Sequence, residues 1–101
     1  MRFSVLSIVF AATWLAAPAS AQSPDAARDI AATCANCHGT NGTSRGVVPS
    51  LAGQTRSDLA TKMLEFKQNK RTGTIMPQLA KGFSDEQIDA VAAYFASQPS
   101  R

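Results

Sequence analysis

Apolar residues recur along this chain at the spacing of helix faces. Ala27, Ile30, Ala31 and Cys34 fall at i, i+3, i+4 and i+7 and make one apolar stripe. Ser23 followed by Pro24 supplies an N-cap and a first helical residue, so a helix is expected to run from there straight into the cysteines. A second stripe, Leu59, Met63 and Phe66, opens at Thr55 or Ser57 with Asp58 as the acidic capping partner of Thr55, and closes between Asn69 and Gly73. Ser84 and Gln87 form a Ser-x-x-Gln capping box with Phe83 and Ile88 at its staple positions. Ile88, Val91, Ala92 and Phe95 continue from it as the third stripe, ending before Pro99. Between the second and third stripes, Met76-Pro77 starts a single helical turn that Gly82 is expected to stop. The stretch from Gly39 to Gly53 holds glycines, Asn41, Pro49 and several Ser and Thr residues with neither period, the composition of an irregular loop. Nothing after these first signals alternates as a strand does, so the predicted fold class is all-α: three main helices plus short turns.

Residues 1–21 stand apart from this pattern. Arg2 provides a basic start, Phe3 to Ala17 is mostly apolar, and Ala19-Ser20-Ala21 offers the small-x-small site that signal peptidase accepts. The expectation is a signal peptide cleaved after Ala21, a domain over 22–101, and a periplasmic product. The apolar run of about 15 residues falls short of the roughly 20 needed to span a bilayer. No second run follows it, so no stable membrane insertion is expected once the signal is removed. A domain of about 80 residues lies near the size at which a protein core alone gives little net stability, and such domains usually carry a staple. With Arg2 set aside, nine basic side chains face seven acidic ones. That near-balance lacks the dense Lys/Arg stretch with interleaved aromatics that a nucleic-acid surface leaves in a sequence.

Cys34-Ala35-Asn36-Cys37-His38 identifies the staple. Two thiols spaced by two residues at a helix end reach the two vinyl groups of one porphyrin as thioethers, and the adjacent imidazole then lies under the iron as proximal ligand. One covalent haem c is therefore expected, through Cys34, Cys37 and His38. A redox dithiol of the thioredoxin kind belongs at the start of a helix among strands, whereas this pair follows a helix. Structural zinc needs four ligands, and the chain has two cysteines and a single histidine. A disulfide across so short a spacing is strained and leaves His38 unexplained.

The distal ligand has to come from few residues, since Met63 and Met76 are the only methionines after the signal. Met63 lies on a helical stripe and reads as core filler. Met76 stands in an irregular segment beside Pro77, which restrains the backbone there, and is the expected distal ligand. His38/Met76 ligation closes both axial positions, raises the reduction potential and leaves electron transfer, not oxygen or peroxide chemistry, as the function. A haem sensor or small peroxidase, which needs an open distal position, is disfavoured on the same ground, and a copper role for the thiols and methionines would require the haem to be absent.

The order helix, C-x-x-C-H, glycine-rich loop with proline, helix, Met-Pro, terminal helix resembles the class I cytochromes c over the whole chain after the signal. The resemblance implies that Pro49, in Gly46-Val47-Val48-Pro49-Ser50-Leu51, lends its carbonyl to the proximal histidine ring. Leu51-Ala52-Gly53-Gln54 and Tyr94-Phe95-Ala96-Ser97-Gln98 are similar to the halves of dihaem cytochromes c4. Thr74-Ile75-Met76 and Ala80-Lys81-Gly82-Phe83-Ser84 resemble the haem subunit of flavocytochrome c sulfide dehydrogenase. That second likeness implies a redox protein partner, an FAD-containing sulfide dehydrogenase subunit, whose electrons the chain accepts without acting on sulfide itself. The alternative is a free c4- or c553-like shuttle to a terminal oxidase or another redox protein. Unlike many of these relatives, the chain has one attachment motif. Lys67, Lys70 and Arg71 read as a solvated helix end more readily than as a docking patch, Tyr94 and Phe95 as packing, and Gln54 and Arg56 as solvated loop residues.

Overall fold

The computed structural model describes residues 23–100, so the expected signal peptide and the expected cut after Ala21 lie outside the described residues. Four α-helices follow in order, α1 (Pro24–His38), α2 (Arg56–Lys67), α3 (Met76–Ala80) and α4 (Asp85–Ala96), with a 3₁₀ turn at Thr40–Gly42. Among the described residues there is no strand.

Each helix begins where its capping residue stands. The Ser23 backbone is extended and its hydroxyl accepts from the Ala26 N–H at 3.1 Å, satisfying one amide that has no partner within the helix. Thr55 accepts from the Asp58 N–H at 3.1 Å. At α4 the capping box is reciprocal, with Gln87 N–H donating to Ser84 Oγ at 3.1 Å and Ser84 N–H donating to Gln87 Oε1 at 2.9 Å. The end of α2 is equally local: Asn69 takes the left-handed conformation at φ 56°, which asparagine tolerates and which turns the chain out of the helix.

α4 lies between α1 and α2, and α3 packs on α2. Ala31 of the first stripe, Leu59 of the second and Val91, Ala92 and Phe95 of the third form the core, with Ile30, Cys34, Leu51 and Tyr94 packed around it. The small residues of α1 let the helices approach closely enough for the Phe95 ring to fill the space between them. Phe95 also reaches the loop. A β-carbon on Gly42 would stand 2.7 Å from Phe95 Cδ1, and φ 78° at that residue favours glycine as well. The Gly42 carbonyl accepts from Leu51 N–H at 2.8 Å and Ala52 N–H at 3.1 Å, while Gly53 N–H donates to Phe95 O at 3.2 Å. Both ends of the irregular loop are thereby pinned beside the C-terminal end of α4.

Two details depart from the sequence reading. Only Leu59 of the α2 stripe is buried, while Met63 and Phe66 are half-buried, because α2 meets the core through its first turns and the rest of it faces the α3 segment. Gly82 follows the α3 turn but is not left-handed, and the turn ends on ordinary right-handed geometry at Lys81.

Candidate haem-binding site

α1 carries Cys34, Cys37 and His38 on its last turn and ends with the histidine. Its register follows from the stripe: Ala27 and Ala31 are buried, Ala31 in one core cluster with Val91, Ala92 and Phe95 of α4, and Cys34, one turn on, is drawn partly into that core. Cys37 is exposed, and both thiols are free of any disulfide. Burial pushes the Cys34 thiol above its ordinary range, with the neighbouring Thr33 hydrogen bond opposing this weakly.

His38 is buried, and its Nδ1 lies 2.6 Å from the carbonyl oxygen of Pro49. A carbonyl only accepts, so Nδ1 carries the proton and donates it. That leaves Nε2 as the ring nitrogen that can offer a lone pair to a metal, and the hydrogen bond fixes the ring's orientation. Gly39 lets the chain turn away directly after the ligand. Its φ is 85°, and a β-carbon there would fall on the Thr43 carbonyl oxygen.

Pro49 is held through the residue that follows it. Ser50 Oγ accepts from Ser44 N–H at 2.9 Å, and Ser50 O accepts from Gln54 Nε2 at 2.6 Å. Gln54 Oε1 in turn accepts from Lys62 Nζ of α2 at 2.7 Å. The sequence reading missed Gln54 and Lys62 as supports of the proline carbonyl. No local pattern marks them, because a loop residue and a helix residue meet there only once the chain has folded. Arg56 is engaged as well, in a two-pronged pair with Asp89 whose Nε···Oδ1 arm is 2.8 Å.

Met76 opens α3 and is half-buried, with Pro77 in the same first turn. The site residues thus fall into two groups: Cys34, Cys37, His38 and Pro49 gathered at the end of α1, and Met76 on the segment that packs on α2. An open depression of about 1000 Å³ beside Cys37 is lined by Asn36, Thr40, Arg45 and Val48 among others, and it borders none of His38, Pro49 or Met76. Among the described residues no cluster of three His, Cys, Asp or Glu side chains could hold a metal ion directly. The donor set suits a porphyrin instead: two free thiols one turn apart and an imidazole with one nitrogen committed to a carbonyl.

The family model described as cytochrome c oxidase, cbb3-type, subunit III, matches residues 21–95. The chain belongs to this family of cytochrome c domains. It carries covalently bound haem c, and its fold is that of a class I cytochrome c. The cytochrome is 40% identical over 68 residues to the cytochrome subunit of sulfide dehydrogenase from Chlorobaculum tepidum, covering 67% of this chain and 62% of that protein. It is 44% identical over 69 residues to cytochrome c4 from Pseudomonas aeruginosa, covering 67% of this chain and 34% of that protein. Both likenesses noted in the short sequence motifs are present. Among solved structures it is similar to thiosulfate dehydrogenase (TsdBA) from Marichromatium purpuratum, with a TM-score of 0.72 and 31% identity over 84% of this chain and 21% of that one. The cytochrome therefore spans less than two thirds of the length of each of these relatives. Among the described residues no helix is long and apolar enough to cross a membrane.

Proposed function

We propose that this cytochrome is a periplasmic one-electron carrier with a single His38/Met76-ligated haem, and that it accepts electrons from an FAD-containing sulfide dehydrogenase subunit. Cys34 and Cys37 hold the porphyrin as thioethers, His38 Nε2 is the proximal ligand, Pro49 fixes its tautomer, and Met76 is the distal ligand. The mature domain is 22–101, released by cleavage after Ala21. Bound there, the haem supplies a one-electron iron couple at a potential raised by the thioether ligand.

The observation that carries this reading is the His38–Pro49 hydrogen bond at 2.6 Å, which orients a buried imidazole directly after two free thiols on the same helix. Similarity to the sulfide dehydrogenase cytochrome subunit supports the choice of partner. The chain adds no catalytic group for sulfide. Its residues would hold the cofactor: Cys34 and Cys37 by covalent bonds, His38 through Nε2 with Nδ1 turned to Pro49, and Met76 as the second iron ligand. The exposure of Cys37 beside a partly buried Cys34 supports an attachment edge near the surface, from which a path to a flavin would be short.

Gentle purification from the native source tests the whole proposal. The expected result is a covalent haem spectrum with the near-infrared sulfur-to-iron band in the oxidised protein, removed by Met76→Ala and kept by Met63→Ala, together with a co-purifying flavin. Intact mass showing a polypeptide without porphyrin would sink the haem reading, and carbon monoxide binding to the reduced protein at neutral pH would sink the Met76 assignment. Similarity to cytochrome c4 favours a second reading, a free shuttle between redox proteins with the same internal chemistry. Isolation without flavin, and direct oxidation by a terminal oxidase, would decide for the shuttle.

A further inference from the structure

The segment between α2 and α4 carries Met76, and one side chain ties its two ends together. Lys67, the last residue of α2, donates from Nζ to the Phe83 carbonyl at 2.7 Å and to Asp85 Oδ1 at 2.8 Å. Phe83 lies just before the α4 cap and Asp85 is the first residue of α4, so the ammonium spans the mouth of the segment. The Lys67 side chain is 28% exposed, turned inward from solvent for a lysine at a helix end.

The near half of the segment is wrapped around Phe66. Arg71 stands over its ring at 5.7 Å and donates from Nε to Glu65 Oε2 at 2.8 Å. Gly73 lies so close that a β-carbon there would come within 3.0 Å of Phe66 Cε1 and 3.2 Å of Pro77 Cδ. The far half has the Lys67 contacts. With Lys67 and Arg71 occupied in this way, neither presents a free charge to an acidic partner, which leaves little of a docking patch at this helix end.

We infer that Lys67 is a positioning residue for the distal haem ligand: by clasping Phe83 and Asp85 it keeps the 68–83 segment closed and limits how often Met76 leaves the iron. This rests on the reading of Met76 as that ligand. The physical ground is loop closure. A segment tied at its mouth has fewer open conformations to reach than one held only by its helices, and a bound methionine can be replaced by another ligand only from an open one. Without the ammonium, the Phe83 carbonyl loses its donor and the exit of the segment is joined to α2 by packing alone.

The structure also supplies a control. Arg56 and Asp89 form another α2–α4 ion pair, at the opposite end of α2 from the Met76 segment. A merely general role for inter-helix pairs predicts equal effects of losing either, whereas the clasp predicts an effect at Lys67 only.

The test uses the oxidised holoprotein with imidazole as the displacing probe, followed by loss of the near-infrared sulfur-to-iron band. In Lys67→Met the displacement rate rises roughly tenfold, the scale of one lost charge-assisted hydrogen bond. Lys67→Arg returns it to within about threefold of the parent, Asp85→Asn gives an intermediate rise because the Phe83 contact remains, and Arg56→Ala stays within about twofold. Parent-like rates in both Lys67→Met and Asp85→Asn overturn the inference, and so does an equal rise in Arg56→Ala. If Lys67→Met fails to fold, Asp85→Asn against Arg56→Ala decides by itself. A parent that lacks the band, or keeps it in Met76→Ala, overturns the ligand reading and the clasp together. A parent whose band depends on Met76 but whose rates ignore Lys67 and Asp85 overturns the clasp alone.

Discussion

Gly39 shows how much one residue decides next to His38. The chain must leave α1 immediately after the histidine so that the following loop can return Pro49 to the imidazole, and at φ 85° only glycine does so without strain. Gly39→Ala is expected to destabilise the holoprotein by about 2 kcal/mol or more, read from guanidinium denaturation followed at the haem absorbance. Most of the candidate site is legible at this scale. Cys34, Cys37 and His38 stand out because covalent attachment demands a short fixed spacing, and Pro49 stands out through family resemblance. Gln54 and Lys62, which support the Pro49 neighbourhood through Ser50, do not, because nothing in their own surroundings along the chain requires them.

The helices were legible as elements because their start signals act within one turn. The α4 box is the clearest case: Ser84→Ala and Gln87→Ala should each cost about 1 kcal/mol in chemical denaturation, and the double variant less than the sum, since each side chain serves the other's backbone. Between helices the prediction is one of pH. Arg56 beside Asp89 holds that carboxyl below its ordinary range, chiefly through their hydrogen bond. A carboxyl lowered in the folded state adds stability above its unfolded pKa and loses it as pH falls through the folded one. Asp89→Asn should therefore lower Tm at neutral pH by a small amount, roughly 2–4 °C for a pair this exposed, and the difference should vanish in strong acid. The boundary of α3 was less legible. Its glycine adopts no left-handed stop, and a turn this short is set by packing on α2 more than by its own cap.

At the scale of the molecule, Phe95 joins α1, α4 and the haem-side loop, and it is among the most completely buried large side chains. Phe95→Ala is expected to cost about 3–5 kcal/mol, comparable with the whole stability of a domain this small. Far-UV helicity and the near-infrared band should fall together on mild heating. The haem should stay on the polypeptide through denaturing electrophoresis, because thioether bonds do not depend on the fold. Loss of the haem stain from this variant would show that the fold, and not the covalent linkage alone, is needed to keep or attach the cofactor.

What the sequence by itself determined is everything carried by short-range rules: the three stripes, their caps, the all-α class, and the thiol–thiol–imidazole spacing that calls for haem. These depend on neighbours within about a turn, so order along the chain suffices. What only the tertiary structure decided is which distant groups meet: Arg56 with Asp89, 33 residues apart, and Lys67 with Asp85, 18 apart, across the Met76 segment. Such pairs have no local signature, since each partner alone is an ordinary charged residue on a helix. Their significance arises when burial of the apolar stripes brings α2 against α4 and sets these charges side by side.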